Sequence, residues 1–275
     1  MHIMKVYKVS TYTNEQELTG LIMAELDSVV DGFIFLEASH TYQMAPRPEF
    51  PAFPFESEGS KCHYYTFTDY PEGAETWPAD KIEELVTSKF IDILKDVGVQ
   101  PEDVLLYGDA DELPYAHVIP ALAPQIEHGQ IYALEMIFCN YWLNCISHEH
   151  PWNQFKVFTF QTLLDIGGSP QENIRKKYVG NIIPNAGWHF SWFGGKERIV
   201  KKLESYSHSE FNLPQFKTDE HVEECMMTGR DLFNRGQGQV IPLGDMPLPQ
   251  TIAENIDKYQ EWIHPNHRNN ENNNI

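Results

Sequence analysis

LLYGDADELP, residues 105–114, sets three carboxylates and a proline directly behind a run of strand-forming apolar residues. Val104, Leu105, Leu106 and Tyr107 read as a buried strand closed by Gly108. Asp109, Asp111 and Glu112 then crowd three like charges into four positions, which needs a cation or open water to be tolerable. Two aspartates flanking one small residue, Ala110, let both carboxylates reach a single divalent cation. A hard ion such as Mg²⁺ or Mn²⁺ suits oxygen ligands of this kind. An acidic surface turn has the same composition, so the neighbouring sequence has to decide.

Upstream, the chain alternates strand and helix patterns. Val6 and Val9 lie in a strand-like run ending near Thr13, where Asn14 is placed to cap a helix with Glu17 completing a capping box. Leu18, Leu21, Ile22, Leu26 and Val29 follow at helical spacing. DGFIFLEAS, residues 31–39, is a nearly continuous apolar run of the kind found in a sheet covered on both faces. Residues 46–60, PRPEFPAFPFESEGS, read as a long loop that is a lid, a binding surface or disordered. A helix is expected over 81–97, capped by Asp80 with Glu83, stopped by Gly98, and carrying Lys89 within its apolar stripe. Lys89 either snorkels to water or meets an anion. This series predicts an α/β fold with GDADELP at a strand end, where open sheets bind ligands.

Downstream lies the opposite charge. Arg175, Lys176, Lys177, Lys196, Arg198, Lys201 and Lys202 are seven of the 20 basic residues, and they bracket AGWHFSWFGG, residues 186–195. A polyanionic ligand could use that patch while the carboxylates hold its metal. A net charge of −20 argues against nucleic acid or an anionic membrane surface as the main partner. Four scattered cysteines form neither a disulfide scaffold nor a metal site. The start lacks a signal-peptide core and no run reaches membrane-spanning length, so a cytoplasmic location without a membrane span is expected. SHEHP, residues 147–151, places His148 and His150 on one face of an extended segment, either an ordinary polar loop or a second metal site. RNNENNNI, residues 268–275, reads as a disordered tail.

GDADELP, AGWHFSW and KLESYSHSE, together with TNEQEL (13–18) and AELDSVVDGFIFLEASHT (24–41), resemble glycosyltransferase family 17. Its best-known members are β-1,4-mannosyl-glycoprotein 4-β-N-acetylglucosaminyltransferases. The resemblance runs from about residue 6 to about residue 236. It implies a GT-A fold, a mixed central sheet flanked by helices forming one catalytic domain over 1–267. The nucleotide-binding half would span about 1–115, and the half that completes the metal site and holds the acceptor about 116–240. The implied reaction is inverting transfer of a sugar, N-acetylglucosamine leading, from a UDP-sugar donor to a glycan acceptor.

By the same resemblance Asp109 and Asp111 hold Mn²⁺ or Mg²⁺ on the donor diphosphate, with His189 as a further metal or phosphate contact. Asn14, Glu15, Glu37, Lys89, Trp188 and Lys202 fall at donor-binding positions beside Asp109. The acceptor hydroxyl needs a base, for which Glu210, Glu112 and His208 are candidates, with Glu135 behind them. Glu112 could instead orient the aspartates, and Glu210 could merely pair with His208. The animal members carry an N-terminal membrane anchor that is not visible here, and Lys89 stands where the family's arginine is expected. Two other readings remain open: a non-catalytic carbohydrate- or nucleotide-binding protein on this fold, and a metal-dependent phosphohydrolase.

Overall fold

Val6–Tyr12 (β1) and Gly32–Ala38 (β2) are buried along almost their whole length and pair in parallel, as strands covered on both faces must. The computed structural model describes residues 2–13, 15–55, 60–147 and 151–268. Asn14, His148, His150 and the tail from residue 269 therefore lie outside the described residues, as do residues 56–59 of the long loop. Gln16–Leu26 (α1) makes the crossover between β1 and β2, burying Leu18, Leu21, Ile22 and Leu26. Cys62–Phe67 (β3) adds parallel to β2, and Val104–Tyr107 (β4) lies parallel on the other side of β1.

The expected helix over 81–97 is two helices, Ala79–Thr87 (α2) and Phe90–Val97 (α3). Thr87 and Ser88 turn their hydroxyls back onto the carbonyls of Glu83 and Leu85, offering the backbone an alternative to helix continuation. The capping expectation is corrected as well. Pro78 occupies the N-cap, Asp80 bonds the adjacent Lys81 amide, and Glu83 is buried in an ion pair with Lys176. Gly98 does end α3 in the left-handed conformation that glycine tolerates.

Past β4 the sheet becomes mixed. Glu112–Pro114 (β5), Val118–Leu122 (α4), Tyr132–Asn140 (β6), Cys145–Ser147 (β7) and Trp152–Thr159 (β8) come next. Phe160–Ile166 (α5), a π-helical turn at Gln171–Arg175, and Asn181–Ser191 (β9) follow, then Gly195–Leu203 (α6), Asp219–Thr228 (α7), Gly238–Val240 (β10) and Gln250–Glu254 (α8). β8 runs antiparallel between β4 and β6, so the path is β3-β2-β1-β4-β8-β6. From β6 the sheet continues to β7 and β10, and through the parallel β9 to β5. The α/β class and mixed central sheet expected from the sequence are what the structure shows.

The last 30 or so described residues are part of this body. Asn144, fully buried, donates to the Ile241 carbonyl (2.8 Å) and accepts the His264 amide (3.0 Å). Glu25 of α1 accepts the amides of Gln250 and Thr251, and Ile252 and Ile263 join the main core. Among the described residues no helix is long and apolar enough to cross a membrane.

Candidate active site

Two glycines bring the acidic loop against the centre of the sheet. A Cβ on Gly108 would sit 2.2 Å from the Phe155 ring and 2.5 Å from Glu112 Oε2. A Cβ on Gly187 would stand 2.3 Å from the Leu113 carbonyl. Only glycine lets β4 turn so tightly and lets β5 lie so close on β9. The resulting register sets Glu112 opposite His189 and Leu113 opposite Trp188, with the Phe190 amide on the Asp111 carbonyl at 2.8 Å. GDADELP and AGWHFSW, far apart in sequence, are thus one structural unit.

The three carboxylates are each answered by a cation. Arg175, at the end of the π-helical turn, forks onto Glu112 (Nη1–Oε2 2.7 Å, Nη2–Oε1 2.9 Å) and reaches Asp109 Oδ2 at 2.7 Å. Lys202, in the last turn of α6, meets Asp111 Oδ2 at 2.6 Å while its ammonium lies over Trp192. His189 Nε2 stands 3.6 Å from Asp111 Oδ1, its ring stacked on both Trp152 and Phe138, which also touch each other. Burial alone would raise the Asp111 carboxyl, but Lys202 and His189 outweigh it and hold the group well below the usual carboxylate range. Glu112 is lowered in the same way, burial being overcome by Arg175. Asp109 goes the other way: desolvation in the cleft, with Glu112 and Asp111 beside it, exceeds the help of Arg175 and pushes it up to about 6. Its side chain is nonetheless 47% exposed, the most open of the three.

These groups lie at the floor of a cleft of about 1390 Å³. Thr11, Glu15, His40 and Val86 line it from the first half of the sheet, and Pro46, Arg47 and Pro48 of the long loop form part of its wall. Trp192, Tyr206, Phe211 and Phe233 supply an aromatic side, and Lys202 reaches in beside them. Among the described residues no three His, Cys, Asp or Glu side chains gather into a cage for an ion. Two adjacent hard-oxygen carboxylates, one half open to the cleft, still match the way Mg²⁺ and Mn²⁺ are held by one or two carboxylates plus phosphate oxygens. His189 Nδ1, buried and without a hydrogen-bond partner, marks the imidazole as unsatisfied at this spot. The donor set fits such an ion.

The cleft takes in Glu15, Asp109, Asp111, His189, Lys202 and His208 of the residues singled out by sequence, and leaves others out. Glu37 is fully buried beneath the loop, paired to Arg47 at 2.6 Å and bonded by Tyr64 and the Ala52 amide. It anchors the cleft wall and has no face for a nucleoside. Trp188 is a core residue whose indole N–H donates to the Pro247 carbonyl at 2.6 Å. Lys89 lies between α2 and α3 with its ammonium over the Phe67 ring, and it does not line the cleft. Glu112 takes Arg175 twice, the Trp152 indole and the Asp109 amide, so its lone pairs are spent and it cannot serve as a base. Glu210 lies outside the cleft lining but bonds His208 Nδ1 at 3.0 Å. Glu135 sits at an irregularity of β6, also outside the cleft.

Three residues escaped sequence reasoning in their actual roles. Arg175 was one cation in a patch, yet it is 4% exposed and bound wholly within the protein. Lys8, fully buried in β1, donates to the Gly108 carbonyl at 2.7 Å and so steadies the turn into the acidic loop. Its desolvation outweighs the nearby carboxylates and lowers it to about 7. The one available signal was a lone lysine inside a central-strand pattern. Trp152 gave no signal before β8 was placed beside β6.

A parallel α/β half, a mixed second half and an acidic loop at the strand ends place the cleft at the crevice where open α/β sheets bind their ligands. The model for glycosyltransferase family 17 matches residues 2–236, and the chain belongs to that family. It is a glycosyltransferase. Among curated proteins, no sequence matches the chain closely enough to count as a relative.

Proposed function

We propose that the enzyme takes a sugar from a nucleoside diphosphate donor, UDP-N-acetylglucosamine foremost, and transfers it with inversion to a glycan acceptor. The observation that carries this reading is the pair Asp109 and Asp111 at the cleft floor, flanked by Lys202 and Arg175. Asp109 and Asp111 would hold Mn²⁺ or Mg²⁺, which when bound supplies charge neutralisation for the departing diphosphate. Glu112 and Arg175 fix the loop that carries both aspartates, and His189 keeps Asp111 in place. Lys202 stands where its ammonium can serve the diphosphate as well as Asp111. For the acceptor proton, His208 is the base that the geometry favours: Glu210 holds its Nδ1, leaving Nε2 for the cleft.

The test is calorimetry of UDP with and without Mn²⁺, on the wild type and on Asp111→Asn, with transfer assayed from UDP-N-acetylglucosamine. Binding that strengthens with Mn²⁺ only in the wild type supports the assignment. Equal affinity with and without metal overturns the metal site, and normal transfer by Asp111→Asn at limiting Mn²⁺ overturns the role of that carboxylate.

A further inference from the structure

The family match ends at residue 236, but the cleft does not. Glu261, Trp262 and Arg268, all from the segment beyond that match, line the same cleft as Asp109 and Asp111. They are held there firmly. The Leu143 amide donates to the Trp262 carbonyl at 2.8 Å, and the Trp262 ring packs edge-on against Phe193 at 5.6 Å and near Tyr259. Arg268 donates to the carbonyls of Ile263 (2.9 Å) and Glu261 (3.0 Å) and lies over Trp142. The Glu261 side chain remains exposed to solvent.

We propose that residues 241–268 build the acceptor subsite of the cleft, with Trp262 as the stacking face for a pyranose ring and Glu261 and Arg268 as partners for its hydroxyls. This rests on the glycan-acceptor reading above. Two observations point to the acceptor rather than the donor. The cleft, at about 1390 Å³, exceeds the roughly 300–1,000 Å³ that encloses one drug-sized ligand, so it has room for a second. The segment also enters beside Tyr141, Trp142 and Phe193, at the ends of β6 and β9, whereas Thr11, His40 and Val86 line the part of the cleft at the parallel half. The chemistry suits a carbohydrate: an aromatic face covers the apolar side of a sugar ring while charged tips at its rim take up hydroxyls.

Immobilised mannose-, N-acetylglucosamine- and galactose-terminated oligosaccharides, probed with the intact chain in the absence of donor and metal, read this directly. The wild type should bind at least one class. Trp262→Ala should lose about tenfold or more, and Glu261→Gln, which leaves the packing untouched, about three- to tenfold, as expected when a charge-assisted hydrogen bond is weakened to a neutral one. Calorimetry of UDP with Mn²⁺ should be the same for both variants as for the wild type. No glycan binding by the wild type, unchanged binding by Glu261→Gln and a folded Trp262→Ala, or a parallel fall in UDP affinity would each overturn the assignment. Since the glycan measurement contains neither nucleotide nor metal, failure of the donor and metal reading would show in the calorimetry alone.

Discussion

Replacing Arg175 by methionine isolates what the buried fork contributes. The guanidinium is 4% exposed and Glu112 is fully buried, so the variant leaves a carboxylate inside the protein with only the Trp152 indole and the Asp109 amide to satisfy it. Removing one partner of a buried, hydrogen-bonded pair costs about 3–5 kcal/mol. At roughly 2–4 °C per kcal/mol for a chain of this size, the melting temperature should fall by about 6–20 °C. Glu112→Gln removes the orphaned charge while keeping the shape, so the double variant should recover part of the loss. The double-mutant cycle should then give an interaction energy of about 1–3 kcal/mol. Arg175→Lys keeps the charge but not the fork and should fall between the wild type and Arg175→Met. Thermal and urea denaturation of the five proteins, wild type included, measures all of this. A loss under about 1 kcal/mol for Arg175→Met, or an additive cycle, would refute the view that the fork organises the acidic loop.

Gly187→Ala should destabilise the fold and abolish transfer together, because its Cβ would press on the Leu113 carbonyl and part β5 from β9; thermal melts and activity check it. Lys89→Met should leave UDP affinity and turnover at wild-type values, since the ammonium lies over Phe67 and outside the cleft; a tenfold rise in KM for donor would contradict this. Lys8 yields a pH signature. Its folded value of about 7 lies below its ordinary 10.5, so its contribution to stability is fully present above 10.5 and is lost as pH falls through 7. The stability of the wild type relative to Lys8→Met should therefore rise between pH 7 and pH 10, as read from urea midpoints, and a flat difference would count against the lowering of the Lys8 amine by burial. His208→Ala should lower kcat far more than donor affinity, and an equal kcat would remove it from the proton transfer.

The first half of the fold was legible because its strands are covered on both faces and announce themselves as apolar runs. GFIFLEA is buried at every position of β2, and the stripe Leu18–Leu21–Ile22–Leu26 faces the core as its spacing requires. What failed were local rules overridden by tertiary contacts. Glu83 looked like a capping residue and instead holds Lys176, while Trp188 and Glu37 looked like ligand contacts and instead fix the core and the loop. The acidic loop was visible as chemistry, but its partners were not. Arg175 and Lys202 come within reach only because β9 lies parallel to β6 and α6 returns over the strand ends, and no spacing rule in a single sequence encodes that. The exclusion of Glu112 as a base likewise depends on four donors drawn from three separate segments.

The pairing of early acids with late bases has a consequence for synthesis of the chain. Asp111 leaves the ribosome 91 residues before Lys202, the difference of the two positions. At roughly 5–20 residues per second the acidic loop exists for about 5–18 s before Lys202, the last of its counter-charges, emerges. During that interval the first four parallel strands can form, but the turn after Gly108 carries mutually repelling carboxylates and β5 has no β9 to lie on. The emerging half is therefore a sheet with an open edge and an unsettled loop. Arrival of residues 175–202 closes both at once.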